Sequence, residues 1–122
     1  MASKLSRYLA SVGLPGSEPL LRKDGWDVQV AQRDGKDVAI VIVKGTEIHF
    51  CSLDEKRAMT RKNTLQFLEP IFAEWNFVTT RVPLTVTDHR LREILGFKFQ
   101  WRDNEFSYWT LFHLPFCKKA NP

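Results

Sequence analysis

The stretch TVTDHRLREILGFKFQWRDNEFSYWTLF, residues 85–112, encodes a short helix with a strong stop, followed by two strands. Thr87 or Asp88 is placed to cap the helix by accepting from its first unpaired amides, and Gly96 ends it after Leu95. Leu91, Ile94 and Leu95 recur at helical spacing, so all three are expected to face inward. Past the glycine, strands are expected over about 97–101 and 106–114, joined around the polar segment Arg102-Asp-Asn-Glu105. That hairpin is rich in aromatic residues, with Phe97, Phe99, Trp101, Tyr108, Trp109 and Phe112. About half of them are expected to complete a core and the others to mark a surface.

Upstream, β-branched residues over 77–82 predict a strand ending at Pro83. Before it, residues 61 to about 76 carry Leu65, Leu68, Ile71, Phe72 and Trp75 at helical spacing and predict the main helix. Pro70 falls inside that helix, so a bend or break is expected near Leu68-Glu69. Three strands are expected earlier, over about 26–31, 38–43 and 46–52, forming an antiparallel meander. Asp34-Gly35 is a strong hairpin signal between the first two. The second, Val38-Ala-Ile-Val-Ile-Val43, is apolar on both faces and reads as a central strand. In the third, Ile48 and Phe50 share one face while Glu47, His49 and Cys51 share the other. Leu5, Tyr8, Leu9 and Val12 give an amphipathic helix over 3–12 that stops at Gly13, and one more helical turn follows Ser17. The order helix–helix–β–β–β–α–β–α–β–β is α+β: a mixed, mainly antiparallel sheet flanked by helices.

The chain has 122 residues, enough for one domain with a real core, which we place at about 26–114. Hydrophobic residues make up 43% and charged residues 26%, which excludes a disordered chain. The longest apolar run is far shorter than the roughly 20 residues that span a bilayer. The N-terminus is helix-like and charged, so a soluble protein inside a cell is expected. Cys51 and Cys117 lie in apolar runs without metal-ligand spacing, and buried, reduced thiols with no metal are expected. The net charge of +4 comes from basic residues scattered along the chain, not from a stripe that would track a nucleic acid.

The element order, together with Arg81-Val-Pro-Leu and Asp88-His-Arg-Leu-Arg-Glu-Ile-Leu-Gly-Phe97, resembles the GNAT superfamily of acyl-CoA N-acyltransferases. The ending Leu95-Gly96-Phe97 is similar to the close of that family's last core helix. Ile48-His-Phe50 and Val82-Pro83 resemble segments of small GNAT-like proteins that tailed bacteriophages encode among their virion and head-assembly genes. The resemblance implies two central parallel strands that splay apart to admit acetyl-CoA or another acyl-CoA. It also implies a pyrophosphate seated on backbone amides at the start of the main helix. By alignment that seat falls on Arg57, Thr60, Arg61 and Lys62. Thr60 and Lys62 stand where the family has glycines, Arg92 stands where it often has a tyrosine acid, and the family's first strand is missing.

The resemblance places Glu47 and His49 on the strand where the family keeps its general base, and a histidine there suits proton abstraction from an amine. It implies an acyl-CoA-dependent N-acetyltransferase, or a degenerate relative, acting in the host cytoplasm or with the virion. The alternative is a non-catalytic GNAT-fold protein that contacts phage or host proteins. A basic nucleic-acid-binding domain is the third reading, and no membrane association is expected.

Overall fold

The computed structural model describes residues 3–54 and 60–116. The elements are α1 (Lys4–Ser11), α2 (Glu18–Lys23), β1 (Asp27–Arg33), β2 (Lys36–Lys44), β3 (Glu47–Ser52), α3 (Arg61–Trp75), β4 (Val78–Pro83), α4 (Arg90–Leu95), β5 (Lys98–Arg102) and β6 (Phe106–Leu111). Their order is the one expected from the sequence, and the class is α+β. The strands form one open sheet in the order β1-β2-β3-β4-β6-β5. Every neighbouring pair is antiparallel except β3 and β4, which run parallel.

Local chemistry explains the joints. Arg33 pairs with Lys36 across a two-residue turn in which Asp34 and Gly35 have φ of 53° and 76°. Two left-handed residues in such a turn match the twist of the strands they join. β2 buries Val38, Ala39, Val41 and Ile42, and so serves both layers. On one face of the sheet, Ile42 packs with Leu9, Val12 and Leu21 from the α1–α2 region and with Trp26 and Val28. On the other, Val41 and Ile48 join Phe67, Leu68 and Ile71 of α3 with Leu95, Trp109 and Leu111. Among the described residues no helix is long and apolar enough to cross a membrane.

Two elements depart from expectation. α3 runs unbroken through Pro70, and both Pro70 and Gln66, whose carbonyl loses its partner there, lie on the exposed side. Water can satisfy that carbonyl, so the helix continues. Its buried face is also rotated: Thr64, Phe67, Leu68 and Ile71 point inward, whereas Trp75 is exposed. α4 begins only at Arg90, with Asp88 Oδ1 accepting its amide at 3.1 Å. Leu91 and Ile94 are 64% and 71% exposed, which corrects the inward placement, and only Leu95 is buried. Six residues offer too little length to lay more than one edge on the sheet, and Leu95 with Phe97 makes that contact.

Gly96 closes α4 as the sequence predicts. Its φ is 99°, its amide reaches Arg92 O and Glu93 O, and a Cβ there would lie 3.4 Å from Leu111 Cδ1. Gly96→Ala is therefore expected to destabilise the chain by about 1–2 kcal/mol, read as a lower urea midpoint at unchanged slope.

The parallel neighbours β3 and β4 share one register pair, Glu47 with Thr79. Around it Thr79 donates its amide to Thr46 O at 2.7 Å, and Thr80 Oγ1 donates to Ile48 O at 2.7 Å. Beyond Ile48 the ladder stops, and a side-chain hydroxyl stands where a backbone bond would continue it.

Candidate functional site: a cavity where the parallel strands part

A cavity of about 240 Å³ lies where the ladder stops. Ile48 and Phe50 of β3 and Thr80 and Val82 of β4 form its sides, while Tyr8 of α1 and Arg92 and Leu95 of α4 reach it from elsewhere. Tyr8 packs with the cluster on one face of the sheet and Leu95 belongs to the cluster on the other. The cavity therefore sits in the seam between β3 and β4 and is open to groups from both layers.

The backbone at this seam is turned to use. Leu53 donates its amide to Val38 O on β2. Alternate residues of an antiparallel ladder face the same neighbour, so Cys51 and His49 also point their amides at β2. The amides of Phe50 and Ile48 then point the other way, toward the cavity side of β3.

The structure brings together the two predicted catalytic residues. His49 is 1% exposed, with Nε2 at 2.5 Å from Glu47 Oε2 and Nδ1 at 2.9 Å from the Tyr8 hydroxyl. Trp26 leans on the same ring at 5.8 Å between centroids. Arg81 Nε lies 3.2 Å from Glu47 Oε2, near enough to attract the carboxylate but not aligned for a hydrogen bond. Its guanidinium rests over the Phe106 ring. Burial pushes the Glu47 carboxyl up, but the His49 hydrogen bond and the neighbouring positive groups outweigh it and hold the carboxyl below its usual 4.5. Glu47 is thus ionised near neutral pH and accepts from His49 Nε2, and in that tautomer Nδ1 accepts from Tyr8. Burial raises the Tyr8 phenol well above its ordinary value, so that group is a proton carrier and not a standing anion.

Neither His49 nitrogen is free to meet a ligand, because Glu47 holds one and Tyr8 the other. Of these three residues, Tyr8 is the one that lines the cavity. The sequence shows Tyr8 only as part of an apolar helix stripe, and its partner lies 41 residues away. Arg81 was equally hidden, since nothing local marks the strand residue that will face Glu47.

The remaining predicted residues form a separate group. Thr60 caps α3, its Oγ1 accepting the Asn63 amide at 3.0 Å. Arg61 is exposed beside the Phe116 ring, and Lys62 is exposed on the first turn. Asn63 Nδ2 donates to Gln32 O, which ties the start of α3 to the sheet end where β3 finishes. None of Thr60, Arg61 and Lys62 lines the cavity. Arg57 and Cys117 lie outside the described residues. Cys51 is buried and free, and no group of three His, Cys, Asp or Glu among the described residues could hold a metal ion.

At the far wall, Arg92 donates from Nη2 to Asp88 O at 2.8 Å and from Nε to His89 Nδ1 at 3.2 Å, and its guanidinium lies 5.8 Å from the Trp109 ring. The His89 ring lies tilted against the same indole, 4.8 Å between centroids. No family model matches the chain, and no curated protein is significantly similar to it.

Proposed function

We infer that the chain has a GNAT-type fold and transfers the acyl group of an acyl-CoA to an amine. The observation that carries this reading is the seam: parallel strands joined at one pair, parting over a largely apolar cavity that a Tyr–His–Glu chain centred on buried His49 reaches through Tyr8. An acyl thioester has an apolar chain, one carbonyl in need of hydrogen-bond donors, and a leaving thiolate in need of a proton. The cavity supplies apolar walls for the first and the Phe50 amide for the second.

Tyr8 supplies the third. When an amine attacks the carbonyl, the C–N bond forms and the C–S bond breaks. The amine's proton enters the Tyr8–His49–Glu47 chain, with Tyr8 passing its own proton to His49 Nδ1 as it accepts the new one. The chain returns a proton through Tyr8 to the departing thiolate, and the residues end as they began. His49 and Glu47 act through Tyr8, their positions fixed by the bonds that occupy them. At the phosphate end the fit is partial. Thr60 consumes one of the first amides of α3, so an anion there would rely on the exposed charges of Arg61 and Lys62.

Titration calorimetry with acetyl-CoA and with CoA tests the reading. Saturable heat from both is expected, and no binding at about 1 mM ligand would end it. Tyr8→Phe is expected to lower turnover about 100-fold with KM changed only a few-fold, measured by thiol release.

The non-catalytic alternative draws on Leu91, Ile94, Phe99 and Trp101, which are large, apolar and more than half exposed. Under that reading the apolar surface meets a phage or host protein during assembly, and substitution of Leu91 and Ile94 abolishes co-sedimentation with assembly intermediates while CoA fails to bind.

A further inference from the structure

Arg92 brings to the cavity wall a charge that no carboxylate of the described residues pairs directly, although Asp88 and Glu93 act on it from farther away. Its hydrogen-bond acceptors are His89 Nδ1 and the Asp88 backbone carbonyl, neither of them a carboxylate. The nearby Asp88 carboxylate is turned to Arg90, at 3.0 Å. Among the described residues no carboxylate lies within ion-pairing distance of Arg92. The other cavity-lining cation, Arg81, has Glu47 at 3.2 Å. Trp109 supports the guanidinium from one side, and two bonds to His89 and Asp88 fix its fork, which leaves Nη1 without a protein acceptor among the described residues. Burial lowers the Arg92 pKa, as expected of a cation partly withdrawn from water. A fixed guanidinium with Nη1 left over can donate a charge-assisted hydrogen bond to one oxygen of a carboxylate.

The rest of the cavity sets the kind of molecule that carries the carboxylate. Ile48, Val82 and Leu95 offer only apolar surface. The volume of about 240 Å³ is below the roughly 300–1,000 Å³ of sites for drug-sized ligands. A short aliphatic chain fills it.

We propose that the cavity between β3, β4 and α4 is a carboxylate-binding site, with Arg92 pairing the acid group and the strands holding a short aliphatic chain. The site stands on its own geometry and does not require acyl transfer. Three sources share this chemistry: a free acid, a thioester whose acyl group ends in a second carboxylate, and an amino-acid acceptor.

The test compares isosteres on the full wild-type chain by calorimetry. Hexanoate is expected to bind about tenfold or more tightly than hexanamide, because an ionic hydrogen-bonded pair is lost with the charge. Arg92→Gln is expected to erase the difference, and Arg92→Lys to keep part of it. A melting curve establishes that each variant is folded, and if either is not, the wild-type pair of ligands decides alone. Equal affinity for acid and amide, or no hexanoate binding up to about 10 mM, overturns the proposal. Succinyl-CoA against acetyl-CoA, and glycine against glycinamide, locate the acid on the acyl group or on the acceptor. If neither pair differs while hexanoate binds, the site takes a free acid. Hexanoate binding without CoA or acetyl-CoA binding removes the acyltransferase reading and leaves this one. The reverse pattern removes only this one.

Discussion

Trp109→Ala is expected to lower the unfolding free energy by about 3–5 kcal/mol. The indole is 7% exposed, and it joins three elements. Its ring receives His89 at 4.8 Å from the lead into α4 and Phe99 at 5.7 Å from β5, and its Nε1 donates to Ser107 Oγ at 2.8 Å within β6. Removing it empties the junction and leaves the Arg92 guanidinium without its apolar support. Against a domain stability of roughly 5–15 kcal/mol, that is about a fifth of the total or more. Trp109→Phe keeps a ring but removes the donor to Ser107 Oγ, which retains Val82 O, and about 1–2 kcal/mol is expected. Urea unfolding followed by far-UV dichroism measures both. A loss below about 1 kcal/mol for the alanine variant would show that the junction is held by something else.

His49→Ala is the second large effect, about 3–4 kcal/mol near neutral pH. The substitution opens a hole beneath Tyr8 and Trp26, leaves the phenol without a partner and leaves the Glu47 carboxylate with Arg81 alone. Its pH dependence follows from Glu47. A carboxyl held below its usual 4.5 contributes stability that is fully present above 4.5 and is lost as pH falls through the lower folded value. Without the ring, the hydrogen bond that lowers Glu47 is gone. The gap between wild type and variant should therefore narrow as pH drops below 4.5. Asp88, held at about 2 chiefly by the Arg90 side-chain hydrogen bond, and the lowered Asp103 weaken both proteins over the same range. A double-mutant cycle with Glu47→Gln isolates the pair, and additivity would mean that the two side chains do not cooperate.

What was legible in the sequence was what depends on neighbours along the chain. Asp34-Gly35 fixed a hairpin because left-handed turns demand such residues. The alternation over 47–51 placed Glu47 and His49 on one face, and their contact followed from spacing alone. α4 was misjudged because helical periodicity marks an apolar side without saying whether anything covers it. Leu91 and Ile94 have the right spacing, yet six residues beyond a loop are too few to bring that side onto the sheet. Phe67, not Trp75, entered the core for a related reason: the face a helix buries depends on how it is laid on the sheet. The proton chain was only half visible. Its two strand members stand two residues apart in sequence, but Tyr8 arrives from α1 and Arg81 from β4, and no local pattern links them. Arg92 was noticed for the residue it replaces, while its role in the cavity wall depends on His89, Asp88 and Trp109 being assembled around it.

The single pair that joins β3 to β4 also divides the chain along its length. Every strand on one side of the seam comes from residues 27–52 and every strand on the other from residues 78–111. The first half is a run of hairpin-linked strands; in the second, β5 and β6 form a hairpin and β4 joins β6 across α4 and β5, and α3 is the bridge between the halves. Local pairings close early at small entropic cost, and the parallel seam, which must bring distant segments together, closes late. Two fragments separated between β3 and α3 should accordingly recover the fold when mixed, the second carrying α3 as the surface on which the first docks. In the intact chain, amide exchange should be fastest where the halves meet.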